Sequence, residues 1–522
     1  MTIAATIWIC QHITNWFWSP FVSIPAAHPL ANFTSLWIEW QRFQGTDFQS
    51  ISKAFANKGP YVRLGPRELA VNDIEAVGCI WGVGVADFDK HPSYNYWKTL
   101  GTSNTFTSVL GDEHRRHHRR IRGVHNRLFI SSSPHVRSIM RVLMTERLLP
   151  LLDQISTSAD GTANVLPIAQ SITLDCTSAF AFGLSLSLNF ILDTESRQQW
   201  FNLFGTAFPT DQSSFWLREH PQLTKYLCFL GIPIVSRKTA SARREFEAWA
   251  LSKVDAAELV MQRHAAGQLI PEGDFPILYS AVRKHLAVSE RGPAKETPTQ
   301  SVIERRERAS ECLDHIAFTG EAFGTVYTYM LYELSRHADI QRELHEELCS
   351  VDNPLNQADR PADICTSETL ERLPLLGAVI KECLRLRNTS PNADPRVTPA
   401  RGVSRIGSVS GVPPNTRVCS YGWCLHRNPD VYTDPLCWNP KRWLEGSCDN
   451  ATAAKKWFFA FGAGSRSCIG QNIALELFRV SLATVYTRYA TSVADESNYP
   501  GANEPMSPAL TDKLFIKFEK RY

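Results

Sequence analysis

No two cysteines in this chain stand at C-x-x-C spacing; the 13 present are scattered singly along 522 residues. That excludes a zinc ribbon and the dense disulfide frame of a small secreted domain, and an odd count at such spacing fits a reducing compartment. Low-complexity linkers and internal repeats are also missing, so a length that allows two or three domains reads as one large folded unit. Charge excess is small: a formal net charge of +3 is too little for a nucleic-acid binder. No G-x-G-x-x-G follows a predicted strand, which argues against a built-in dinucleotide or flavin domain.

The N-terminus lacks charge altogether, since no Lys, Arg, Asp or Glu occurs before Glu39. Ile7-Trp-Ile-Cys10 and Trp16-Phe-Trp18 make the opening apolar, with Gln11, His12 and Asn15 interrupting it. A spanning helix needs about 20 mainly apolar residues. Residues 1–24 are therefore expected to form a membrane anchor or an interfacial segment rich in Trp. The alternative is an apolar arm packed on the domain. A cleaved signal peptide is disfavoured by the missing positive region and cleavage site. Ser23-Ile-Pro-Ala-Ala-His-Pro29 reads as a proline-stiffened hinge, and Gly59 to Pro66 and Glu68 to Val71 as short strands divided by a turn. Apolar residues then recur at helical spacing over Val142 to Leu152, Ser241 to Ala266 and Glu304 to Leu348.

With 43% hydrophobic residues and 14 Trp there is ample core. The segment richest in chemistry is Trp457-Phe-Phe-Ala-Phe-Gly-Ala-Gly-Ser-Arg-Ser-Cys-Ile-Gly470. A helix is expected from about Gln471, so Cys468 stands just before a helix N-terminus, where backbone N–H groups stabilise a thiolate. Gly462, Gly464 and Gly470 can take positive φ and let the backbone approach a flat ligand. Arg466 brings a cation for an anionic group, and Phe461 is placed to shield the sulfur. A buried inert cysteine is the commoner fate of a lone one.

Phe461, Gly464, Arg466, Cys468 and Gly470 match all five fixed positions of F-x-x-G-x-R-x-C-x-G, the haem-binding loop that the segment resembles in the cytochrome P450 superfamily. Five such matches arise by chance on the order of once in 10,000 chains of this length. Lys381-Glu-Cys-Leu-Arg-Leu-Arg387 supplies E-x-x-R, and Trp438-Asn-Pro-Lys-Arg-Trp443 supplies P-x-R-W, in the family's order. Glu382 and Arg385 lie three apart on one helical face, a spacing commonest in solvated surface pairs. The resemblance instead implies that Glu382, Arg385 and Arg442 form a buried charged triad. It also makes Arg396, in Pro395-Arg-Val-Thr-Pro399, a partner of the haem propionates, together with His114 and Arg119 or Arg120 from the basic run His114 to Arg122.

In the family a long helix crosses the haem with A-G-x-[DE]-T-T at its centre, the acid and first threonine relaying protons. Aligned without gaps through Leu331-Tyr-Glu-Leu-Ser335, this chain has Thr319 at the glycine, Glu321 at the acid, and Ala322 and Phe323 at the two threonines. Shifting by one residue brings Gly320 to the glycine without restoring the pair. Thr319 and Thr325, three residues either side of Ala322, are the expected stand-ins, acting through a water. Gly320 and Gly324 are expected to loosen the helix where oxygen sits.

The resemblance implies a mainly α cytochrome P450 fold over residues 25–522, with a smaller β-rich part from the early strands and the segment around Val403 to Val418. It implies haem b with Cys468 as axial ligand, and NADPH electrons delivered by a separate reductase that docks where Lys455, Lys456 and Arg466 add positive charge. It further implies a monomer at the endoplasmic reticulum membrane, its catalytic domain on the cytoplasmic face. The expected reaction is insertion of one oxygen atom into an apolar small molecule of secondary metabolism, in the manner of filamentous-fungal members. Ala322 keeps two alternatives open: a haem-thiolate isomerase or dehydratase, and a non-catalytic haem-binding protein.

Overall fold

The computed structural model describes residues 21–82, 88–209, 212–232, 234–288, 298–356, 363–387, 394–446, 451–495 and 514–521. The first 20 residues of the expected anchor lie outside them. Among the described residues the fold is mainly α, with one five-stranded sheet and two smaller ones.

The main core forms around the helix Val165–Phe182, which is buried along almost its whole length. This helix is long and apolar enough to cross a membrane, yet 83% of it is buried inside the fold. Its hydrophobicity serves the core. Against it packs Thr319–Arg336, buried continuously from Phe323 to Ser335. Gly320 and Gly324 explain the close approach: a Cβ on Gly320 would sit 3.1 Å from the Leu174 side chain, and one on Gly324 would come within 2.9 Å of the Gln170 backbone. These glycines seat one helix on another. They are not where the ladder opens.

The break lies one turn earlier. The periodic run Glu304 to Leu348 is three helices, Pro298–Ala317, Thr319–Arg336 and Ala338–Cys349, and the first two meet at Phe318. There the Thr319 hydroxyl donates to the Ile316 carbonyl at 3.0 Å, competing with the backbone ladder, and the Ala322 N–H reaches Phe318 O at a long 3.4 Å. The Phe318 ring joins an aromatic cluster with Trp97 and Phe106, at centroid distances of 4.9 and 5.6 Å.

The β-rich part assembles as expected. Tyr61–Gly65 and Glu68–Val71 pair antiparallel, and Glu68–Val71 then pairs parallel with Arg417–Ser420. The sheet continues through Arg396–Val397 to Asp89–Lys90. Val403–Ile406 and Val409–Val412 form a separate hairpin. The last pairing of the large sheet sets Lys90 directly opposite Arg396.

Candidate haem-thiolate site

Cys468 is placed by a loop whose two turns require glycine. Gly462 and Gly464 have φ of +70° and +60°, and a Cβ on Gly464 would stand 2.3 Å from the Trp81 carbonyl. Gly470 differs from the expectation: its φ is −78°, so any residue could adopt its backbone, but a Cβ there would lie 3.9 Å from the Cys468 sulfur. Its smallness leaves room beside the thiol. The Cys468 N–H closes the loop on Phe461 O at 2.8 Å, and the helix Gln471–Arg488 starts where the sequence places it. Burial pushes the thiol up, while the backbone N–H groups of Gly470 and Gln471 pull it back. Cys468 nevertheless keeps accessible surface. A group both enclosed by protein and accessible faces an interior cleft.

Glu321 and Ala322 show the same combination. They are exposed in a stretch, Gly320 to Ser335, that is otherwise buried, and burial raises the Glu321 carboxyl. Thr319, by contrast, is turned toward the core helix, its Oγ1 3.2 Å from Thr177 Oγ1. Thr325 is buried with an unpartnered hydroxyl. Phe323, at the second threonine position, stacks on Phe478 and does not narrow the cleft.

The charged triad is present and complete. Glu382 receives two hydrogen bonds from Arg385, at 2.8 and 2.9 Å, one from Arg442 at 3.0 Å, and one from Trp443 Nε1 at 2.9 Å. Arg385 Nη1 donates to the carbonyls of His426 and Pro435 at 2.8 and 2.7 Å. Glu382 and Arg385 are wholly buried and Arg442 nearly so. Buried charges persist only when paired and hydrogen-bonded in this way. His426 carries the connection to the cysteine loop: its Nδ1 lies 2.9 Å from Arg385 O, and its Nε2 accepts the Phe459 N–H at 2.7 Å.

A second cluster is cationic and under-partnered. Lys90 and Arg396 are 6% and 2% exposed and directly opposite across the sheet, where like charges repel. Arg396 lies over the Trp81 ring at 4.1 Å and has an unpartnered Nε. Arg466 is buried, reaches the Ser108 and Val109 carbonyls only at 3.5 and 3.4 Å, and is held down to about 10 by burial and Arg396. Burial, Arg396 and Arg466 likewise lower Lys90. His114 bridges the basic helix Gly111–His125 to this loop, its ring nitrogens each 3.1 Å from the Thr105 and Ser465 carbonyls. Burial and Arg466 hold it down to about 3, hence neutral at pH 7. Arg119 is exposed on the outer face of that helix, and Arg120 pairs with Glu307 at 3.2 Å, so neither is brought to the cluster. Lys90 and Trp81 were not singled out from the sequence. A two-residue strand leaves no periodic signal, and their importance appears only when the sheet closes.

The cytochrome P450 family model matches residues 307–517, the stretch that runs from the split helix through the triad and the cysteine loop. Residues 307–517 carry the cytochrome P450 domain. The chain is similar to cytochrome P450 monooxygenase avaI of Aspergillus versicolor, with 27% identity covering 82% of this chain and 94% of that protein. Cytochrome P450 monooxygenase macH of Penicillium terrestre is 26% identical over 93% of this chain and 91% of its own length. Fusicoccadiene C-8 hydroxylase of Alternaria brassicicola is 24% identical, covering 89% and 85%. This cytochrome P450 is an oxygenase whose family cofactor is haem held by a cysteine thiolate, supplied with NADPH electrons by a reductase. The residues fit that group: a flat dianion needs a thiol, glycine-cleared backbone and buried cations with donors to spare, and the Cys468 loop, Gly462 and Gly464, and Lys90, Arg396 and Arg466 supply them.

Proposed function

We propose that the chain is a haem-thiolate monooxygenase acting on an apolar small molecule of secondary metabolism, with Cys468 as the axial ligand. The observation that carries this reading is the opposed, buried Lys90 and Arg396 beside Arg466, a charge arrangement that calls for an anionic partner next to the cysteine loop. Gly470 and Gln471 N–H groups would hold the thiolate charge, and Lys90, Arg396 and Arg466 would pair the two carboxylates. Bound there, haem supplies activation of dioxygen, for which thiolate ligation favours O–O cleavage. Glu321, whose carboxyl burial raises, is the group placed to pass a proton at the cleft. Ala322 contributes no hydroxyl, so proton passage from Glu321 needs water. That same absence favours, as a second reading, a rearrangement or dehydration needing fewer protons. Turnover under labelled oxygen with a reductase separates the two: label in the product supports oxygenation, and an unlabelled isomer supports rearrangement.

The reductase would dock near Lys455 and Lys456, which are exposed. Arg466 is buried and cannot contribute at the surface. Lys455→Glu should slow electron transfer in a salt-dependent way, and an unchanged rate would reject this docking face. We further propose localisation at the endoplasmic reticulum membrane, facing the cytoplasm; contact with a membrane is supported by exposed Leu36, Trp40, Tyr226 and Phe229, the last 85% exposed. These side chains lie on Leu36–Gln44 and Pro221–Phe229. Phe43 on Phe215, at 5.6 Å, links the first helix to Gln212–Glu219, which precedes the second. Flotation with liposomes tests this; a protein that stays in the soluble fraction would count against it.

A further inference from the structure

Trp81 follows the short helix Ile74–Ile80 and is 5% exposed. Different parts of its indole meet three separate segments of the chain. The ring nitrogen donates to Ser420 Oγ at 3.0 Å, at the end of the strand Arg417–Ser420, and so fixes the rotation of the ring. The rim meets the cysteine loop: Phe459 stands perpendicular to the ring at 5.0 Å, and a Cβ on Gly462 would lie 2.7 Å from Cζ3. The face is left to the Arg396 guanidinium, 4.1 Å above it.

Arg396 is 2% exposed, and its hydrogen bonds are long: Nη1 lies 3.3 Å from the Tyr94 hydroxyl and 3.4 Å from the Asp394 and Pro395 carbonyls, while Nε has no partner. The Asp394 carboxylate is taken by the Tyr94 hydroxyl at 3.0 Å. Lys90, opposite Arg396 across the sheet, adds a like charge. A buried guanidinium beside another cation costs free energy that a neighbouring group must offset. A carboxylate would do so by consuming N–H donors, whereas an aromatic face attracts the cation through its quadrupole and leaves the donors in the guanidinium plane available.

We propose that Trp81 is a positioning residue whose ring face stands in for a counter-ion under Arg396, so that the arginine stays charged, fixed and able to donate to a haem carboxylate. The Ser420 bond and the Gly462 contact hold the ring, and the ring holds Arg396. Because the same indole touches the Cys468 loop, the cation and the thiol are registered against one rigid group, as a flat cofactor with its iron and carboxylates at fixed spacing requires. The inference rests on the haem-thiolate reading of the site and concerns only how tightly that group is held.

The test uses full-length, haem-loaded protein and reads the rate at which haem passes to excess apomyoglobin. Site-specific replacement of Trp81 by mono-, di- and trifluorinated tryptophan withdraws electron density from the ring face with little change of shape. Haem loss should accelerate stepwise along this series, reaching about tenfold for the trifluorinated ring. In an Arg396→Gln background the series should be flat to within about twofold, since a residue that acts through another has no effect once that partner is gone. Trp81→Phe, which keeps a ring face, should lose haem more slowly than Trp81→Leu. A flat series with Arg396 in place, an equal series in both backgrounds, or Trp81→Leu no faster than Trp81→Phe would overturn the proposal, because packing alone would then account for the indole. Should Arg396→Gln or Trp81→Leu fail to load haem, the fluorinated series decides it, since each member keeps the native shape. Failure of the wild type to bind haem would strike the haem-thiolate reading; a flat series with haem bound strikes only Trp81.

Discussion

Phe323 lies flat on Phe478, with ring centroids 4.0 Å apart and planes 10° from parallel. The side chain at the second threonine position of the motif the sequence resembles is thus a packing element between the split helix and the helix that follows Cys468. Phe323→Ala should cost about 3–5 kcal/mol and lower the melting temperature clearly. Ala322 is accessible and should accept Thr with little change in stability. If the missing hydroxyl limits proton delivery, Ala322→Thr should raise the product formed per NADPH consumed. Unchanged coupling would show that water alone suffices.

Glu382 is a carboxylate shared by two buried guanidinium groups, Arg385 and Arg442. Glu382→Gln keeps the shape and removes the charge that both guanidinium groups face, at a cost of about 3–5 kcal/mol. Soluble yield and haem content of the purified variant should both collapse. A variant that folds and loads haem normally would refute the structural role.

How much of this was legible in the sequence depends on how local each feature is. The cysteine loop and the Glu382–Arg385 pair are set by short spacings, so their geometry follows from the residues that spell them. The strands at Gly59 to Val71 carried their own turn signal. Lys90 could not be found that way, since its role comes from facing Arg396 across a sheet closed by distant segments. Gly320 and Gly324 were read for their local effect on a helix, whereas their cause is the neighbour they approach. The break at Phe318 coincides with the Thr319 hydroxyl's bond to the Ile316 carbonyl and with an aromatic cluster drawn from Trp97, Phe106 and Phe208, which no periodicity within the helix encodes.

The glycines themselves give a paired test. Gly324→Ala gains about 1 kcal/mol of helix propensity but drives a methyl against the Gln170 backbone, and overpacking costs about 1–3 kcal/mol, so the net change is a loss. Gly320→Ala meets only the Leu174 side chain, which can yield, and should be nearly neutral. Thermal unfolding of both variants checks the contrast; equal effects would contradict the close-approach explanation.

His426 predicts an acid-labile connection between triad and loop. Burial and Arg385 hold its imidazole down to about 3, and its Nε2 must stay unprotonated to accept the Phe459 N–H. Its folded-state value lies below the unfolded one of about 6.5, so its contribution to stability is complete above that pH and is lost as pH falls toward 3. Over that window it adds a slope of about 1.4 kcal/mol per pH unit. His426→Gln should flatten the acid limb of stability against pH by about one proton relative to wild type. An unchanged slope would mean that other groups carry it.

The central claim, that Cys468 holds haem iron by its thiolate, is tested most directly by the carbonmonoxy difference spectrum of the reduced protein. Wild type should show the red-shifted, thiolate-type Soret band, and Cys468→Ser should lose it while circular dichroism reports an intact helical fold. A wild-type spectrum without that band, or its persistence in Cys468→Ser, would contradict the account.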